Sequence, residues 1–173
     1  MIKLNAKKLR KSEPTKSDLK MIKRREIYIF CDNILDTYNI GSIFRLADAV
    51  AAKKIYLCGQ TETPPNSRIS KSSVGTDKWV PWEYTSTAVE AVSSIRYKVS
   101  GINVIAIEQS PKAIDYRKFY YKEPVAFVVG HETSGVSKEA LKLCDQIVEI
   151  PMFGVNRSLN VMVSLAIVLY QAV

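Results

Sequence analysis

Short apolar runs recur along the chain, and stretches with helical spacing fall between them. Ile27-Tyr28-Ile29-Phe30-Cys31 is continuous and apolar, the pattern of a strand buried on both faces. Ile43, Phe44, Ala47 and Val50 then fall at helical spacing and predict a helix over roughly Gly41 to Ala51. Lys54 to Cys58 reads as a second strand closed by Gly59. The polar stretch Gln60 to Ser73, with Pro64-Pro65-Asn66 inside it, reads as a loop. Thr87 and Glu90 are spaced as a capping box and open another helix. Ile102 to Ile107 and Pro124 to Val129 are the third and fourth strands, the latter ending in Gly130. A helix from Ser137 to Cys144, a short strand from Ile147 to Ile150 and a helix from Leu159 to the C-terminus complete the pattern. Strands alternating with helices imply an α/β fold: a mainly parallel sheet with helices on both faces. Ligands of such sheets bind beyond the carboxyl ends of the strands. The loops after Cys31, Val129 and Ile150 are therefore the places to look.

The last helix is apolar on almost every side, with Val161, Met162, Val163, Leu165, Ala166, Ile167, Val168 and Leu169. One sheet face covers one side of such a helix and leaves the other. A second subunit in a symmetric dimer is the expected cover, and the chain's own N-terminal segment is the alternative. Ser158 is placed to cap this helix, and Asn160 falls in its first turn.

Composition adds three constraints. The chain has 173 residues, enough for one full core, and a net charge of +8. Ten cations against Glu13 and Asp18 make residues 1–25 a basic arm, broken by Pro14, ahead of one domain over residues 26–173. Such a balance suits a polyanion such as RNA, and equally a solvated basic terminus. Cys31, Cys58 and Cys144 have no metal-ligand spacing and an odd count, which predicts buried free thiols. No metal site, secretory signal or membrane span is expected, and the chain reads as cytoplasmic.

Three polar constellations stand at the loops picked out above. Asn39-Ile40-Gly41-Ser42-Ile43-Phe44-Arg45 opens the first helix, with Asn39 as a candidate N-cap and Arg45 on the flank opposite Ala47 and Val50. Gly130-His131-Glu132-Thr133-Ser134-Gly135 follows a strand and is not a dinucleotide-binding glycine loop. The third constellation is Ile150-Pro151-Met152-Phe153-Gly154-Val155-Asn156-Arg157-Ser158-Leu159-Asn160-Val161. Singly, each has a plain structural explanation as a cap, a turn or a satisfied polar group. Together, in this order, they resemble the three signature motifs of the SpoU, or TrmH-like, branch of the SPOUT methyltransferase superfamily. Lys71-Ser72-Ser73-Val74-Gly75 resembles a further Ser-x-Gly element of that family.

The resemblance implies an S-adenosylmethionine-dependent RNA 2′-O-ribose methyltransferase acting on tRNA or rRNA. It implies a C-terminal deep trefoil knot, which chain-topology rules alone would argue against. It also implies a homodimer through the knotted region. Carried over position by position, it assigns the methyl donor to Ile107, Gly130, Ile150, Met152, Ser158 and Leu159. It assigns the chemistry to Asn39, Arg45, Glu132, Ser158 and Asn160, with Glu132 expected to organise Arg45 or contacts to a second subunit. Arginine is very hard to deprotonate in a protein, so Arg45 is expected to orient the ribose or phosphate and stabilise charge rather than act as a base. His131 is expected to be a bystander. A catalytically idle RNA-binding member of the same fold is the alternative function.

Overall fold

The computed structural model describes residues 3–173; the first two residues of the basic arm lie outside them. Seven strands form one sheet in the order β3-β2-β1-β6-β4-β7-β5, and every pairing is parallel. They are β1 (Arg25–Asp32), β2 (Ala52–Cys58), β3 (Trp82–Thr85), β4 (Asn103–Ile107), β5 (Ile114–Asp115), β6 (Val125–Gly130) and β7 (Gln146–Glu149). Alternate residues of the central strands enter opposite cores, as period-two geometry requires. Ile27, Ile29, Ile105 and Phe127 face one core with α3 (Thr37–Ala49), α4 (Ser67–Ser73) and α7 (Val161–Gln171). Tyr28, Phe30, Val104 and Val128 face the other with α5 (Ala88–Lys98) and α6 (Lys138–Leu141). Helices thus cover both faces, as the alternating pattern predicts.

Several boundaries differ from the sequence-based expectation. α3 begins at Thr37 because Asp36, not Asn39, is its N-cap; the Asp36 carboxylate accepts from the Tyr38 amide at 2.7 Å. The stretch expected as a loop up to Ser73 contains α4, which Asn66 caps by accepting from the Arg68 and Ile69 amides. Gly41 of the first motif lets α4 pack there: a Cβ at that position would lie 1.9 Å from the Ser72 hydroxyl. The strands β3 and β5 are at the two sheet edges and carry no continuous apolar run. Thr87 caps α5, but Glu90 turns back to the Ser86 amide and hydroxyl instead of closing a capping box. α6 ends at Leu141, and Asn160 rather than Ser158 caps α7, accepting from the Met162 amide at 2.9 Å.

The basic arm is ordered into two short helices, α1 (Ala6–Lys11) and α2 (Lys16–Met21), on either side of Pro14. It docks on the segment that follows α4, through a Lys78–Glu13 ion pair and the Trp79 indole, which donates to the Ser12 hydroxyl at 3.3 Å. Gly75, with φ +92°, lies under Leu9: a Cβ there would meet the Leu9 carbonyl at 2.7 Å. With the described residues of the arm in place, Val163 and Tyr170 of α7 and the following Val173 remain exposed. All three cysteines are free; Cys31 and Cys58 are buried, while Cys144 is half-buried. Burial pushes the Cys58 and Cys144 thiols up to about 12, which leaves them protonated and unreactive near neutrality. Among the described residues no helix is long and apolar enough to cross a membrane.

Candidate active site

The carboxyl ends of β4, β6 and β7 lie side by side, and a cleft opens just beyond them. Ile107, Gly130, Ile150, Met152, Ser158 and Leu159 all line it, together with Glu108, Gln109, Glu132, Gly135 and Glu149. A second hollow continues it under Gly154 and Arg157 and shares Gln109, Glu149, Ile150 and Met152. The two glycines of the second motif shape the wall. A Cβ on Gly130 would sit 2.2 Å from the backbone of Gly135 and Val136, so only glycine lets the turn fold back on the strand end. Gly135 has φ +70°, and a Cβ there would fall 2.0 Å from the Glu108 carboxylate. Gly154, by contrast, faces open space.

The three motifs meet through their side chains. The Asn160 amide donates to the Asn39 oxygen at 3.1 Å, and the Asn39 amide donates to the Glu132 carboxylate at 3.0 Å. Glu132 also accepts from the Leu35 and Asp36 amides, at 3.2 and 3.0 Å. One continuous relay therefore joins the start of α7, the first turn of α3 and the loop after β6. Asn39 is buried at its centre, 5% exposed, with both ends of its side chain used. Asn160 does two things at once, capping α7 with its oxygen and holding Asn39 with its nitrogen.

Burial pushes the Glu132 carboxyl up, but donation from Asn39 and from the Asp36 and Leu35 amides outweighs it and holds the group below its usual 4.5. A depressed carboxyl stabilises the fold fully above its unfolded value, and the stabilisation fades as pH falls through the lowered one. Glu132→Gln should therefore flatten the acid-side decline in stability. Urea denaturation between about pH 5 and pH 3 checks this; a decline as steep as that of the wild type would remove Glu132 as its source.

The structure does not bring Arg45 into the cleft. It stands exposed on α3, away from the buried Ala47 and Val50, and among the described residues no hydrogen bond or ion pair holds it. Glu132 is bound to the start of α3 instead, so the expected Glu132–Arg45 link is absent within this protomer. Ser158 lies on the exposed loop that closes the cleft, its amide donating to Asn156 at 3.3 Å. The His131 ring is occupied in its own turn, where Nδ1 accepts from the Thr133 and Ser134 amides. Glu108, Gln109 and Glu149 were not expected. The available signal was an ionisable residue placed directly after a buried strand, as Glu108 follows Ile107. Among the described residues no cluster could hold a metal ion.

Chemically, the cleft combines apolar walls from Ile107, Ile150, Met152 and Leu159 with glycine-exposed backbone and three carboxylates. No lysine or arginine is among its described lining residues. Such a lining accepts a ligand that is partly flat and apolar and partly cationic.

A sequence model of the SpoU rRNA methylase family matches residues 26–170. The tRNA (guanosine(18)-2′-O)-methyltransferase of Aquifex aeolicus is 31% identical over 151 residues, 87% of this chain and 70% of that protein. Its counterpart in Escherichia coli is 32% identical over 157 residues, 88% of this chain and 66% of that protein. This chain thus spans about two thirds of the length of these relatives. Among solved structures, the TrmH/SpoU tRNA-modifying enzyme of A. aeolicus superposes with a TM-score of 0.76 at 29% identity, over 96% of this chain and 80% of that one. The SpoU methyltransferase AviRb of Streptomyces viridochromogenes, in complex with AdoMet, gives 0.76 at 27% identity, over 88% and 62%.

Proposed function

The chain belongs to the SpoU rRNA methylase family, and on that premise we propose that it is an RNA (ribose-2′-O-)-methyltransferase whose cleft holds S-adenosylmethionine. The single observation that carries this reading is the relay Asn160–Asn39–Glu132, which ties all three motifs together at the edge of the cleft. S-adenosylmethionine fits the lining: its adenine suits the apolar walls and exposed backbone, and its sulfonium suits a cavity with carboxylates and no lysine or arginine. When bound, it supplies an electrophilic methyl group.

The residues of this chain position the rest. The relay holds the Ser158-Leu159 wall and the turn after β6 in fixed register. Arg45, exposed and without an intramolecular partner among the described residues, is directed at the incoming RNA. There it orients the ribose or an adjacent phosphate and stabilises negative charge developing on the 2′-oxygen; it does not take the proton. The basic arm supplies further phosphate contacts, with Lys7, Lys8, Arg10 and Lys11 exposed on α1. The RNA is tRNA or rRNA.

The exposed apolar side of α7 supports a homodimer through the C-terminal region. Val163, Tyr170 and Val173 are exposed on it, and Phe153 and Val155 of the preceding loop are exposed as well, at 90% and 103%. The trefoil knot of the family belongs to the same reading; its support is the placement of β7 between β4 and β5 and the return of the chain to α7 against α3. The three free thiols fit a cytoplasmic protein. Titration calorimetry with S-adenosylmethionine tests the donor assignment. Saturable binding is expected, and RNA binding without any donor binding would replace the reading with that of an idle RNA-binding protein.

A further inference from the structure

The chain carries a net charge of +8, yet its cleft is lined by Glu108, Glu132 and Glu149 and, among the described residues, by no lysine or arginine; Arg157 lines only the hollow that continues it. Glu132 is committed to Asn39 and to the amides of Leu35 and Asp36. Glu108 is held differently. It follows directly on β4, and its two oxygens accept from the Val136 amide at 2.8 Å and the Gln109 amide at 2.9 Å. Gly135 crowds the same carboxylate so closely that no side chain fits between them. Among the described residues no cation pairs with it. A half-buried carboxylate is thus fixed from two sides, facing a cavity, with only neutral amides as partners.

We propose that Glu108 makes the donor cleft charge-selective, holding the cationic sulfonium donor more tightly than the neutral thioether that remains after methyl transfer. The inference rests on the donor-binding reading above. In the reaction the S–CH3 bond breaks with its electron pair left on sulfur, the O–CH3 bond forms and the 2′-hydroxyl proton passes to solvent, so the spent donor loses its positive charge on sulfur. A fixed carboxylate in a partly desolvated cleft attracts the sulfonium of the first, while the second keeps only the amino-acid charges that both species carry. The spent product is thereby released in favour of fresh donor, without any movement of the protein.

Titration calorimetry on the full chain tests this with three probes: S-adenosylmethionine, the amine-bearing analogue sinefungin and the thioether S-adenosylhomocysteine. In the wild type both cationic ligands should bind more tightly than the thioether; equal affinity for all three overturns the proposal without any variant. Glu108→Gln keeps one carbonyl acceptor for the Val136 turn but removes the charge. It should weaken the two cationic ligands by about tenfold, as expected of one charge pair in a partly buried site, and leave the thioether within about twofold. Equal weakening of all three ligands would reduce Glu108 to a prop for the turn and overturn the proposal while leaving the donor site intact. If the wild type binds none of them, it is the donor-binding reading that fails.

Discussion

Arg45→Ala should lower the single-turnover rate of methyl transfer by about a hundred- to a thousandfold, the effect of removing one charge-stabilising donor from a reacting centre. Donor affinity should stay unchanged, because Arg45 is outside the cleft and holds none of its walls. The fold should also be unaffected: the side chain is exposed, and among the described residues it makes no bond that its loss would break. Arg45→Lys separates two roles. Lysine keeps the charge but not the planar fork that engages two oxygens at once. If Arg45 both orients and stabilises, the lysine variant should remain strongly impaired. A lysine variant with most of the wild-type rate would mean that charge alone is needed there.

Asn39→Ala should destabilise the protein by about 1–3 kcal/mol, the cost of leaving buried polar partners unmatched. The substitution empties the centre of the relay. Asn160 loses its acceptor and Glu132 loses its side-chain donor in one step. Because these groups fix the first turns of α3 and α7 at the cleft, donor affinity should fall along with stability. Asn39→Asp sharpens the expectation. It is isosteric and can still accept from Asn160, yet it sets a second carboxylate against Glu132. At neutral pH it should be at least as destabilising as alanine, and it should recover as the pH falls and the pair takes up a proton. Urea denaturation at two pH values distinguishes the cases; an aspartate variant as stable as the wild type at neutral pH would show that the relay does not hold the fold.

How much of this was legible in the sequence depended on how local each signal was. The central strands were readable because a strand buried on both faces must be apolar throughout, as Ile27–Cys31 and Val125–Val129 are. The edge strands β3 and β5 were not, since one is half-exposed and the other has two residues. α4 was hidden by its serines, which bond to backbone and to Asp77 in a way no periodicity count registers. The motif residues were visible as a set, but their roles were not. Asn39 looked like a cap, and its actual partners stand 93 and 121 residues away. Ser158 looked like the cap of the last helix, a task that falls to Asn160, two residues later. Gly41 is in the motif for a packing reason, the approach of α4, which only the folded chain reveals. Glu108 lies outside all three motifs; its place directly after a buried strand was its only signal in the sequence, and its partners emerge only once β4 and β6 are side by side.

The opening pattern, strands feeding loops at one edge of a parallel sheet, thus leads to a cleft whose walls come from three distant segments. Its chemistry is open to one direct measurement. The purified protein is incubated with S-adenosylmethionine labelled on the methyl group and with tRNA and rRNA, and the RNA is then digested to nucleosides. Label is expected in 2′-O-methylated nucleosides, and in alkali-resistant dinucleotides when a second portion of the same RNA is hydrolysed with alkali instead. Label on a base, or RNA that is bound but never labelled, would contradict it.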